Sequence, residues 1–305
     1  APYFGTVEKP ECHMLYNVTT MAAIWNTAAT KDVRLLKSQM ETVSSLPSAC
    51  TFLNYLRCHD DIGWGLDYPL LERWGMRQVP HKKFLNDFFT GRIPESFSRG
   101  VLYNDDPATG DARFCGTTAS MCGVEKAGFC HDRQAMEEAV RLDTMLHAFM
   151  LFQSGIPVLY SGDEVGQVND YTYKDNPEKA PDSRYIHRGE FQWDLVERIN
   201  EPETVQNRIF HLEQLEAIRA GEPLLDAGCP FRTLETWDNS VLGMVRQDGR
   251  GKKLIGLFNF SGERRTAWID ERDGMYGDMV TGDLMEASGV SLPGYGFLWM
   301  KRQCG

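Results

Sequence analysis

The chain has 305 residues, 42% of them hydrophobic, enough for one large core or a large and a small one. Its net charge of −11 excludes the broad basic surface that a nucleic-acid partner requires. The most apolar stretch, Ala148 to Tyr160, is interrupted by Gln153, Ser154 and Pro157, so no membrane span is expected and no membrane partner.

The eight cysteines are Cys12, Cys50, Cys58, Cys115, Cys122, Cys130, Cys229 and Cys304. None forms a Cys-x-x-Cys pair or a cysteine–histidine cluster with zinc-site spacing. They read as free thiols in a reducing, cytoplasmic compartment, and no metal or cofactor is expected. The opening residues carry no initiator Met and no signal pattern, and read as the middle of a longer protein.

In chain order, Cys12–Tyr16 is an apolar run suited to a buried strand. A helix follows, with Met21, Ile24, Trp25, Ala28, Leu35, Leu36 and Met40 on a helical period, Thr19 or Thr20 as cap, and Pro47 closing the connection. Thr51–Leu56 is strand-like and runs into Arg57, Cys58, His59, Asp60 and Asp61, the kind of polar cluster that ends a barrel strand. Loops with a short helix near Lys82–Thr90 reach Gly116. Asp132–Gln153 is a strong amphipathic helix, stopped by Gly155 before a strand at Pro157–Tyr160 and a second polar cluster from Ser161 to Glu164. A helix over Val205–Ala220 comes next. Beyond Leu225 short runs at Val241–Arg246, Lys253–Phe260, Thr266–Ile269 and Gly296–Met300 alternate with the turn signals Asp248-Gly249, Ser261-Gly262 and Asp273-Gly274.

These runs define an α/β portion over 1–225 with three strand–helix units, and an all-β sandwich domain over 226–305. Three units cannot close an eight-stranded barrel, and an open three-stranded sheet leaves apolar edges exposed. The chain is therefore expected to be part of a longer barrel, or to assemble with a missing N-terminal half.

His59, Asp60 and Asp61 carry the clearest chemical signal. A His and a carboxylate at a strand end can grip adjacent sugar hydroxyls and tighten as the ring flattens toward an oxocarbenium ion. A helix-capping or salt-bridging turn accounts for the same residues equally well. Arg113 is a loop arginine able to bind a substrate hydroxyl or simply to pair with Asp111, the reading its sequence alone prefers, and Arg184 is a similar loop arginine of a kind more often structural than functional. Asp163 and Glu164 fit either an acid–base pair or ligands of neighbouring backbone amides, and the second reading is preferred. Trp64, Tyr68, Trp74, Tyr171, Tyr173 and Tyr185 offer loop aromatics for sugar stacking or for packing.

The segment Phe52-Leu53-Asn54-Tyr55-Leu56-Arg57-Cys58-His59-Asp60-Asp61-Ile62-Gly63-Trp64 resembles the seventh-strand motif of the α-amylase superfamily. Its Asp-Asp-Ile-Gly-Trp extension is similar to the amylosucrase branch. Ile156 to Gly166 resembles the eighth-strand motif, and Glu11 to Asn17 the sixth strand. Pro107 to Arg113 and Asp182 to Arg188 are also similar to amylosucrase segments. The resemblance implies the C-terminal part of a (β/α)8 TIM barrel, strands six to eight, followed by an antiparallel β-sandwich domain. It implies a retaining enzyme acting on sucrose or an α-glucan oligosaccharide, with Asp60 as third catalytic carboxylate and His59 beside it. It further implies that Asp61 and Arg184 pair at the pocket bottom and that Arg113 faces the acceptor. The nucleophilic Asp and the acid/base Glu belong to strands four and five, and no segment here matches them. Tyr3-Phe4-Gly5 aligns just after that Glu, and neither Glu8 nor Glu11 takes its place. The chain alone is expected to be inactive. A general α-glucosidase or amylase-like hydrolase, and a non-catalytic carbohydrate-binding scaffold, are the competing readings; charges buried at a site would argue against the scaffold.

Overall fold

In the computed structural model, residues 4–5, 9, 11–47, 50–271 and 274–303 are described. Tyr3, Glu8, Asp273 and Cys304 lie outside them. Residues 1–55, 145–158 and 212–305 group into one unit and residues 56–144 and 159–211 into another.

The first unit holds a three-stranded parallel sheet with Thr51–Asn54 at its centre. Met14–Tyr16 pairs on one side, in register Met14 to Thr51, and Ile156–Pro157 on the other, with Leu53 opposite Ile156. The three strands expected from the sequence are present and parallel, but shorter. The outer two are not buried as expected: Met14, Tyr16, Ile156 and Val158 are exposed. A terminal strand has a partner on one side only, and the described residues of this unit leave each of those side chains more than a third exposed.

The single helix expected after the first strand is two, Val18–Thr30 and Arg34–Ser44. Lys31 turns left-handed (φ 60°) and closes the first helix through its N–H to the Thr27 carbonyl. Asp32 Oδ1 then accepts the Arg34 backbone N–H at 3.0 Å, a local alternative to the helical ladder. Neither Thr19 nor Thr20 is the cap: Asn17 holds that position, its amide donating to Asn54 Oδ1 at 2.8 Å.

The long helix matches its expectation closely, spanning Arg133–Phe152, with Asp132 Oδ1 accepting the Ala135 N–H at 3.0 Å. Gly155 follows at φ 110°, where an added Cβ would stand 2.5 Å from the Phe52 carbonyl oxygen. The helix expected over Val205–Ala220 is split into Val205–Phe210 and Leu212–Gly221, with ψ −8° at His211 between them.

The C-terminal module is a six-stranded antiparallel sheet, in spatial order Leu284–Glu286, Met275–Asp278, Phe297–Arg302, Lys253–Asn259, Val241–Gln247 and Phe231–Leu234. A two-stranded ribbon, Arg265–Ala267 with Val290–Leu292, completes the sandwich-like core around Leu257, Ile269, Tyr276 and Leu292. Phe149 and Phe152 of the long helix pack on Phe258 with ring centroids 5.2 and 5.7 Å apart. Lys253–Asn259 is thus buried on both faces and shows no alternation, as a doubly covered strand should. Gly256 gives the Phe152 ring its room: an added Cβ would lie 2.8 Å from it.

In the second unit, the stretch read as loops contains an antiparallel sheet of Ile62–Gly63, Asp111–Cys115 and Val101–Asp106. Its Gly- and Asp-rich hairpin turn disguised it. Gly110 sits at φ 74° and donates to the Asp106 carbonyl at 2.8 Å. Trp64 stacks on Phe89 of the helix Gln78–Phe89 at 5.3 Å and donates to Asn86 Oδ1 at 2.8 Å, fixing the loop after the Asp60 cluster.

Candidate active site

Within the second unit the five residues singled out from the sequence come together. His59 Nε2 lies 3.5 Å from Asp60 Oδ2. Asp60 Oδ1 lies 3.9 Å from the Arg184 guanidinium and 3.6 Å from that of Arg188. Asp61 lies 3.7 Å from Arg113 Nε. Asp182 forks to Arg184 at 2.8 to 3.1 Å, and this hydrogen-bonded pairing holds the Asp182 carboxyl below its usual range.

Two expectations are corrected. Asp61 does not pair with Arg184; Asp182, two residues before Arg184 in the 3-10 turn Ser183–His187, takes that guanidinium bidentately instead. Nor are the charges of His59 and Asp60 buried, since their side chains are 67% and 55% exposed. The desolvation argument against a scaffold therefore does not apply to them.

The support comes from Arg57 and His187, which had no role assigned from the sequence, and from Asp163, for which binding to backbone amides was preferred and which is bound by side chains instead. Arg57 and Asp163 make a buried ion pair, 2% and 3% exposed, at 2.8 Å. The Arg57 guanidinium lies 4.3 Å over the Tyr160 ring, and Thr118 donates to Asp163 Oδ2 at 3.0 Å. Asp163 is thus held by side chains, whereas Glu164 accepts the Gly162 N–H at 2.7 Å, the backbone role preferred for it. The His59 carbonyl accepts from Arg188 Nε at 2.7 Å and from His187 Nε2 at 3.2 Å. His187 Nδ1 accepts the Gly116 N–H at 3.1 Å, which fixes the proton on Nε2. Burial pushes its pKa down to about 4, so the ring is a neutral strut. Only its position in the Asp182 to Arg188 motif pointed to it.

A cavity of about 370 Å³ opens beside the cluster, lined by Arg57, His59, Tyr160, Ser161, His187 and Arg188 among others. Of the loop aromatics, Trp64, Tyr68 and Tyr173 are buried packing groups, and Tyr171 donates to Glu125 at 2.8 Å. The seven described cysteines are free thiols. Despite the absence of zinc-site spacing, donor atoms of the consecutive residues Cys58, His59 and Asp60 all lie within 4.8 Å of one another. Among the described residues no helix is long and apolar enough to cross a membrane.

The fold matches about half the length of several solved structures, among them an α-amylase from H. orenii with a TM-score of 0.54 at 11% identity, over 99% of this chain and 51% of that one. Over 98% of its length the chain is 23% identical to the glucosylglycerate phosphorylase of Escherichia coli (strain K12), matching 50% of that protein. It is 20% identical to the same-named protein of Spirochaeta thermophila, again over 98% of this chain and 50% of the relative. AmyP in complex with maltose superposes with a TM-score of 0.64 at 16% identity, over 99% of this chain and 53% of that one. Sucrose 6F-phosphate phosphorylase from Thermoanaerobacter thermosaccharolyticum superposes at 0.57 with 15% identity, over 90% and 47%. Residues 243–298 match the family described as the β-galactosidase C-terminal domain. The chain spans about half the length of the curated relatives it matches.

Proposed function

We propose that the chain carries the C-terminal part of the active site of a retaining α-glucosyl-transferring enzyme of the amylosucrase type, acting on sucrose or a related α-glucoside. The observation that carries this is Asp60, half-exposed beside the cavity and ringed by His59, Arg184 and Arg188. In this reading Asp60 and His59 hold two hydroxyls of the glucosyl ring, in bonds that shorten as the ring approaches the oxocarbenium-like transition state. Asp182 holds Arg184 at the ring's far side, and Asp61 holds Arg113 toward the acceptor. Residues 1–225 then form strands six to eight of a barrel, with 226–305 as the appended β domain. The nucleophile and the acid/base come from the barrel's other strands, which would cover the exposed Met14, Tyr16, Ile156 and Val158. Asp60→Asn in the protein containing both halves should cut glucosyl transfer by about 100-fold or more with the fold intact. Turnover near wild type would remove Asp60 from the reacting set.

A second reading, phosphorolysis, draws on the likeness to glucosylglycerate phosphorylase and on the three guanidiniums of Arg113, Arg184 and Arg188, which suit an anionic acceptor. Glucose 1-phosphate formed only when inorganic phosphate is supplied would favour it.

A further inference from the structure

We propose that Cys58, His59 and Asp60 form a three-ligand site for a borderline-soft divalent cation, with zinc as the physiological candidate, and that the bound ion blocks the sugar site. The three are consecutive in sequence, yet their donor atoms converge within 4.8 Å. The His59 Nε2 to Asp60 Oδ2 separation of 3.5 Å is close to the edge of a tetrahedron whose nitrogen and oxygen ligands lie about 2.0–2.2 Å from zinc. Cys58 Sγ accepts the Asp60 backbone N–H at 3.4 Å, which keeps the thiol on the side where the Asp60 residue turns. One sulfur, one imidazole nitrogen and one carboxylate oxygen make a donor set that favours zinc or cobalt over calcium or magnesium, which take oxygen ligands.

The exposure of His59 and Asp60 leaves the fourth position open to water. Binding breaks the Cys58 S–H bond, forms a sulfur–metal bond and releases the proton to solvent, with no electron transferred. The Arg184 and Arg188 guanidiniums that flank Asp60 oppose a cation, but each also has Asp182, at 2.8 and 3.9 Å. The ion can take Asp60 without leaving either arginine unpaired. Two of the three ligands are the groups assigned above to the glucosyl ring, so ion and sugar exclude each other. This last step rests on the proposed function; the binding itself does not.

Cobalt(II) titration of this chain under a non-coordinating reductant tests the binding, read as the near-ultraviolet thiolate-to-cobalt charge-transfer band. The wild type should show a saturable band, and Cys58→Ser should lose it. His59→Ala, at a solvent-exposed position that does not threaten folding, should weaken cobalt binding by about 10-fold or more. No band in the wild type, or a band unchanged in Cys58→Ser, overturns the site. In the protein containing both halves, zinc should raise the KM for the glucosyl donor with little change in kcat, and Cys58→Ser should lose that sensitivity. Cobalt binding at Cys58 without such competition would leave the metal site standing and overturn the exclusion of sugar. An enzyme inactive on sucrose would overturn the proposed substrate and leave the cobalt result untouched.

Discussion

At the scale of single residues, the support of the site is more sharply defined than its reacting face. The Arg57–Asp163 pair ties the segment that carries His59 and Asp60 to the turn that follows Tyr160, 106 residues away. Removing one member strands a charge where water cannot reach it. Asp163→Ala should therefore cost about 3–5 kcal/mol in urea denaturation, and a loss under about 1 kcal/mol would show that the pair does not organise this region. His187 gives a pH signature. Its folded pKa of about 4 lies below the unfolded value of 6.5, so the unfolded chain binds more protons between these limits. The stability it contributes is present above pH 6.5 and is lost as pH falls toward 4, to a total of about 3 kcal/mol. Denaturation midpoints across that window should fall less steeply with acid in His187→Asn. Equal slopes would exclude His187 as the source.

His59, Asp60, Asp61, Arg113 and Arg184 were nominated from local motifs, and the structure places His59 beside Asp60, Asp60 beside Arg184 and Asp61 beside Arg113. The partnerships are another matter. Asp182 displaced Asp61 as the clamp of Arg184 through a two-residue turn geometry that a list of charges does not encode. Cys58 was legible as a residue and illegible as a ligand, because convergence of consecutive side chains depends on how the backbone turns at the strand end.

At the scale of elements, long periodic segments were legible and short or special ones were not. Arg133–Phe152 was readable from its apolar stripe and its Asp132 cap. The break at Lys31 was hidden because Thr30, Lys31 and Asp32 include no Gly or Pro, and the left-handed turn is made by a lysine. The antiparallel sheet after Trp64 was hidden by turn residues that also compose loops. Gly155 was read as a helix stop and is also a packing requirement, since the Phe52 carbonyl and the Asn54 amide crowd it at 2.5 and 2.8 Å. Gly155→Ala combines that crowding with strain at φ 110° and should destabilise the chain by about 2 kcal/mol or more in thermal or urea unfolding. A neutral result would mean that the strand Ile156–Pro157 shifts freely.

At the scale of the whole molecule, the parallel sheet of the first unit exposes apolar side chains along its two outer strands. Such edges template association. The chain alone should self-associate or bind a hydrophobic dye, and Tyr16→Lys with Ile156→Lys should reduce both without lowering the unfolding midpoint. A strictly monomeric, dye-silent chain would argue that these strands need no further cover. The parallel order of the three strands was legible from the polar clusters that follow the second and third. Their exposure was not, because a strand's apolar composition does not tell which of its neighbours is present.

In the proposed function Asp60, His59 and their arginine ring serve glucosyl transfer. Its most direct test is incubation of the protein containing both halves with sucrose, with and without inorganic phosphate, following fructose, glucose, glucan and glucose 1-phosphate separately. The proposed function predicts fructose release with glucan formed in step and independent of phosphate, abolished in Asp60→Asn. Fructose matched by free glucose would make the enzyme a hydrolase, and fructose matched by glucose 1-phosphate a phosphorylase. No fructose under any condition would contradict the sucrose assignment, and release undiminished in Asp60→Asn would contradict the site.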